Sequence, residues 1–80
     1  MLNQSKRNPV GYVVVHMRDG FVLEIKRVSK KKAFHDHMTT AIKRVKELRA
    51  GYQGDGEWCA MTSIRLAEVH RKEWERAIQG

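Results

Sequence analysis

Apolar residues recur with a period of two early in this chain and with a helical period in its middle. Residues 12–17 and 21–28 are rich in β-branched and aromatic side chains and flank Arg18, Asp19 and Gly20. That pattern predicts a β-hairpin. Two registers fit it. A two-residue Asp-Gly turn pairs Met17 with Val22 and Val15 with Glu24. A three-residue loop, with Gly20 left-handed in a bulge, pairs Met17 with Phe21, Val15 with Leu23 and Val13 with Ile25. The second collects six apolar side chains on one face and leaves Tyr12, Val14, His16, Val22, Glu24 and Lys26 on the other. The buried face sets the register, so the bulged loop is preferred.

Next, Phe34, Met38, Ala41, Ile42, Val45 and Leu48 fall on one helical stripe. Ser29 is placed to cap that helix, and Gly51 to stop it in the left-handed position after the last turn. The expected span is roughly residues 30–50. The glycine-rich stretch after it reads as a connector. Residues 58–69 then alternate, with Trp58, Ala60, Thr62, Ile64 and Leu66 on one face and Cys59, Met61, Ser63 and Arg65 on the other. A strand to about residue 68 and a short helix over residues 70–79 is the preferred reading. One helix over residues 62–79 is the alternative, because Ile64, Ala67, Arg71, Trp74 and Ile78 follow helical spacing.

The order strand, strand, helix, strand, helix predicts an α+β domain. A right-handed crossover sets the third strand beside the first and antiparallel to it. The result is a three-stranded antiparallel sheet in ββαβα order, with the long helix across one face and a short C-terminal helix. Residues 1–9 read as a flexible arm carrying Lys6 and Arg7, and residues 10–80 as one domain. A chain of 80 residues buries only about 60% of its unfolded surface, so its core is small.

Charge changes the picture. Sixteen Lys and Arg face nine Asp and Glu, a net charge of +7. Such a chain is drawn to polyanions: nucleic acid, a nucleoprotein complex or an acidic protein surface. Lys30, Lys31 and Lys32 stand out, because the predicted helix starts there and a helix N-terminus disfavours cations. Their presence at that spot points to an anion that docks against them. Lys43, Arg44, Lys46 and Arg49 lie in the second half of the helix, where they complement its negative end.

Catalysis finds little support. The pair His35 and His37, two apart on a helix, does not share a face, and paired-cysteine spacing for zinc is absent. Neither Ser63 nor Cys59 sits in a nucleophile elbow. No cofactor is implied. The single cysteine, Cys59, excludes an internal disulfide and fits a reducing compartment. No apolar run reaches membrane-spanning length, and the polar lead-in lacks the apolar core of a secretion signal. A cytoplasmic protein without membrane contact, monomeric or homodimeric, is expected.

The candidate binding residues are Lys30, Lys31 and Lys32, with Lys26 and Arg27 beside them. Tyr12 and His16 join them on a sheet face read as open, where bases can stack. Arg71 and Trp74 on the C-terminal helix are of the types that dominate interface hot spots. In size and in its hairpin–helix–strand order over residues 10–69, though in no residue motif, the chain resembles compact proteins with which bacteriophages disable host machinery, anti-CRISPR proteins among them. The resemblance implies a stoichiometric inhibitor of a host nucleoprotein complex, and no site residue is carried over from it. The alternative expectation is a protein–protein adaptor or inhibitor that uses the sheet face and C-terminal helix, and the least favoured is a small nuclease.

Overall fold

The structure, a computed structural model, describes residues 10–79. The arm expected over residues 1–9 lies outside them. Strands β1 (Tyr12–Arg18), β2 (Phe21–Lys26) and β3 (Glu57–Thr62) form an antiparallel sheet in the order β2-β1-β3. Helices α1 (Met38–Arg49), α2 (Ser63–Val69) and α3 (Arg71–Gln79) complete an α+β domain. The third strand lies beside the first, as the crossover predicts.

The hairpin departs from both predicted registers. Asp19 and Gly20 take positive φ values of 54° and 82°, so the turn is the tight two-residue kind and Arg18 pairs with Phe21. Met17 then pairs with Val22, but the register shifts after it: His16 faces Glu24 and Val15 faces Ile25. Leu23 is the inserted residue. The bulge lets Val22 and Ile25, three apart, join one core with Val13 and Val15. Phe21 and Leu23, expected in that core, are 62% and 49% exposed.

The sheet is covered on both faces. Val13, Val14 and Val15 are all fully buried, which successive strand residues can be only when each face has a cover. Val13 and Val15 pack with Val22, Phe34, Leu66 and Ala77. Val14 and Trp58 pack with Ala41 and Val45 of α1. The face read as open is therefore the one α1 covers, and Val22 belongs to the other.

The long helix is shorter than predicted at its start. It begins at Met38, not near residue 30, and its N-cap is His37 without a side-chain cap bond. Two interactions hold the preceding segment extended. His35 and Tyr12 exchange both backbone hydrogen bonds, at 2.8 and 2.9 Å. Ala33 and Phe34 are buried in the core on the far side of the sheet from α1. Phe34 thus continues the helical stripe in sequence only, since no single helix can reach both faces. The C-terminal end agrees with expectation: α1 ends at Arg49 and Gly51 has a φ of 84°.

The last third contains one helix more than predicted. β3 stops at Thr62, whose side chain accepts from the Arg65 N–H at 3.1 Å and caps α2. Leu66 of α2 is fully buried. The chain breaks at His70 before α3. The helical alternative described residues 63–79 well, in two pieces. Trp58 and Ala60 face α1, and Cys59 and Met61 the other core, as the alternation predicts.

Candidate anion-binding surface

The lysine triplet lies in the β2–α1 connection, outside any helix. The inference from an electrostatically hostile helix start therefore falls. A different arrangement takes its place. Arg27, the first residue past β2, donates through Nε to the Ser29 carbonyl at 3.3 Å and through Nη2 to the Lys30 carbonyl at 3.1 Å. Its Nη1 donates to the Ala77 carbonyl of α3 at 3.0 Å. A planar fork of N–H groups suits three carbonyls at once. Ser29 and Lys32 exchange backbone bonds at 3.0 and 3.4 Å. The Ser29 hydroxyl accepts from the Lys31 N–H at 3.3 Å, so it closes a turn here instead of capping a helix. The turn is pinned to α3, and Lys30 and Lys31 project from it, exposed.

Carboxylates are mostly spent elsewhere. Arg18 pairs with Asp55, Lys32 with Asp36, Arg44 with Glu47, Arg49 with Glu57, Arg65 with Glu68 and Arg71 with Glu75. Among the described residues, Lys30 and Lys31 have no ion-pair partner, nor do Lys26, Lys43, Lys46, Lys72 and Arg76. Exposed pairs contribute little stability, but they remove cations from the pool open to a partner. Among the described residues, these side chains thus carry positive charge that no carboxylate neutralises locally.

The predicted site residues meet different fates. Lys30 and Lys31 stay together and accessible, with half-buried Lys26 at the end of β2. Arg27 supports the turn from behind, its guanidinium engaged by three carbonyls. Lys32 is drawn away by Asp36 at 2.6 Å, and that ammonium holds the Asp36 carboxyl below its ordinary pKa. Tyr12 is half-buried against the core under α1. His16 is half-buried and engaged: Trp58 stacks on it at 5.0 Å, and its Nε2 lies 2.8 Å from the Tyr52 hydroxyl and 2.9 Å from the Asp55 carbonyl. Tyr52 donates to that same carbonyl at 2.8 Å, so a proton on Nε2 satisfies all three groups. Trp74 packs half-buried on the core side that contains Phe34, and Arg71 pairs with Glu75 at 3.8 Å. The sheet face and tryptophan that an adaptor would need are thus occupied internally.

Ser63, Cys59 and His35, weighed for chemistry in the sequence, sit in different surroundings. Ser63 is buried, and its hydroxyl accepts from the Val10 N–H at 2.7 Å, anchoring the start of β1. Burial, followed by the nearby Glu57, pushes the Cys59 thiol above its ordinary pKa, the wrong direction for a nucleophile. Burial, then Arg44 and Lys32, lowers that of His35. Among the described residues no three His, Cys, Asp or Glu side chains converge to hold a metal, and no helix is long and apolar enough to cross a membrane.

A groove of about 240 Å³ runs between β2 and α3, lined by Leu23, Ile25, Arg27, Arg76, Glu24 and Glu73 among others. Its mixed charge makes it a poor seat for an anion. Sequence reasoning missed the pinning role of Arg27, since contact with Ala77 depends on α3 folding back along β2. No protein-family model, curated protein or solved structure matches this chain.

Proposed function

We propose that the protein is a non-catalytic binder of polyanions whose target is nucleic acid, free or within a nucleoprotein complex. The observation that carries this reading is the pinned turn. It holds Lys30 and Lys31 outward without a carboxylate partner, in a chain of net charge +7. Ordering the turn in advance lowers the entropy cost of binding. Two adjacent ammonium groups on a fixed backbone suit phosphates as point charges, without base-specific geometry. Binding is then governed by charge density at the turn.

Without chemistry of its own the protein acts by occupancy, one copy per site. That is the mode its likeness in size and element order to phage inhibitors implies. Titration of labelled single-stranded and duplex oligonucleotides at low salt tests the reading. Binding is expected for both, without sequence preference, and is lost by about 0.3 M salt, where Debye screening shortens to a few ångströms. Binding that survives such salt unchanged, or no binding at low salt, contradicts it.

A further inference from the structure

Helix α3 is tied to β2 at both of its ends. At the far end the Arg27 guanidinium donates to the Ala77 carbonyl at 3.0 Å. At the near end His70, the residue before α3, accepts the Val22 N–H through Nε2 at 2.9 Å. The groove described above runs from one tie to the other, with Val22, Arg27 and Ala77 all in its walls.

The two ties differ in chemistry. A guanidinium keeps its charge and its donors throughout the range in which a protein stays folded. An imidazole nitrogen accepts only while it carries no proton. Because Val22 presents an N–H, Nε2 is the bare nitrogen, and the proton of the neutral ring sits on Nδ1, 3.5 Å from the Glu73 carboxylate. A second proton, taken from solvent, has only Nε2 to enter. Two N–H groups would then face each other across 2.9 Å with no acceptor between them, so the contact to β2 is lost.

His70 is also the joint between the last two helices. Its N–H donates to the Leu66 carbonyl at 2.7 Å and closes α2, and its carbonyl accepts from the Trp74 N–H at 3.0 Å and opens α3. Its side chain is only 14% exposed, so its neighbours decide where a charged ring goes. From α3 come Glu73, in contact, Arg71, already paired with Glu75, and the cations Lys72 and Arg76. From α2 come Arg65 and Glu68, paired with each other. From β2 come the Phe21 ring, 6.0 Å away, and Glu24, which lines the groove with Arg27. Among the described residues, Glu73 is the carboxylate paired with the ring.

We propose that His70 is a proton-operated latch on the start of α3. Neutral, it fastens α3 to β2 through the Val22 N–H. On gaining a proton at Nε2 it lets go of β2 and is held on its own helix by Glu73. Trp74 and Ala77 stay packed in the core, and Arg27 keeps its hold, so movement is confined to the start of α3. The groove widens at its Val22 end, and one N–H of the β2 edge is freed. The lysine turn, pinned by Arg27, is untouched, so the latch stands apart from the anion reading.

The test is nuclear magnetic resonance of the full chain, carried from about pH 8 to about pH 5, where histidines change charge. Nitrogen shifts of the imidazole report which ring nitrogen bears the proton. Amide exchange, divided by the intrinsic rate at each pH, reports protection. At the upper end the proton is expected on Nδ1. As His70 takes its second proton, the protection of Val22 relative to Val15 is expected to fall by about tenfold, the scale of one hydrogen bond. His70→Gln, whose amide oxygen accepts an N–H without titrating, is expected to keep that ratio flat. The wild-type titration decides the question even where the variant fails to fold. A neutral ring protonated at Nε2, a ring that stays neutral until the chain unfolds, or a constant ratio through the protonation overturns the proposal. So does a folded His70→Gln variant with the pH dependence of wild type.

Discussion

Arg27 and Ala77, 50 positions apart in the chain, meet at 3.0 Å through a guanidinium N–H and a carbonyl of the last turn of α3. The same guanidinium holds the Ser29 and Lys30 carbonyls. One side chain thus joins β2, the lysine turn and the C-terminal helix, and turns a connection into a fixed display.

Replacing Arg27 with Ala is expected to lower stability by about 1–2 kcal/mol, the scale of charge-assisted hydrogen bonds at a half-buried site. Arg27→Lys does not rescue it, because one ammonium cannot span three carbonyls in the guanidinium's fork. Substituting Lys30 and Lys31 instead leaves stability within about 0.5 kcal/mol of wild type. Urea denaturation of the three variants checks the contrast. A harmless Arg27→Ala contradicts the pinning role.

A second prediction concerns His70. Its Nε2 accepts the Val22 N–H, so in the neutral ring the proton sits on Nδ1, 3.5 Å from Glu73. His70→Ala leaves that edge N–H without its acceptor and costs about 1–2 kcal/mol. Amide exchange at Val22 is expected to accelerate more than at Val15, in the central strand. Equal protection at Val22 in both proteins would show that the cap does not act.

A third concerns acid. The folded His35 has a pKa below its usual 6.5, through burial, Arg44 and Lys32. The unfolded chain therefore binds more protons just below pH 6.5, and stability rises with pH there. Falling pH should erode stability from about 6.5 downward until the folded histidine is itself protonated. Asp36, whose folded pKa is depressed chiefly by the hydrogen bond and charge of Lys32, loses its contribution only as pH falls below its ordinary 3.8. Urea midpoints across pH for wild type and His35→Gln separate the two windows. The variant keeps the backbone bridge to Tyr12 and should show a flatter slope in the upper window alone. Parallel curves there rule out His35 as the source.

Local signals were legible in this sequence, while long-range choices were not. Asp19 and Gly20 announce the turn, Gly51 ends α1, and the alternation from Trp58 to Met61 sorts correctly between two cores. Pairing the third strand with the first follows from connection length and handedness. The start of α1 was hidden because Phe34 and Met38 keep helical spacing while serving opposite faces of the sheet. The Leu23 bulge was hidden because period two cannot report where it slips. Thr62, a good cap, did mark the start of α2, but the alternation before it suggested that the strand continued.

For the site, composition pointed to cations and the triplet to their place, though for a reason that does not hold. Lys30 and Lys31 are displayed because a turn fixes them, not because a helix repels them. Lys32 differs from its neighbours only through Asp36, four residues on. Tyr12, His16 and Trp74 look like contact residues in sequence, yet packing claims all three. An aromatic side chain buries a large area when it packs, and these three are used that way, whereas Phe21 stays 62% exposed.

The slope of the logarithm of affinity against the logarithm of salt concentration tests the central claim most directly. It is measured with an oligonucleotide on wild type, on a Lys30→Ala/Lys31→Ala variant and on a Lys43→Ala/Lys46→Ala control of equal charge. Losing two phosphate contacts should flatten the slope by about 1.4 for a single strand or 1.8 for a duplex, in the turn variant only. Equal slopes in wild type and turn variant, or the same loss in the control, would contradict a dedicated phosphate-binding turn.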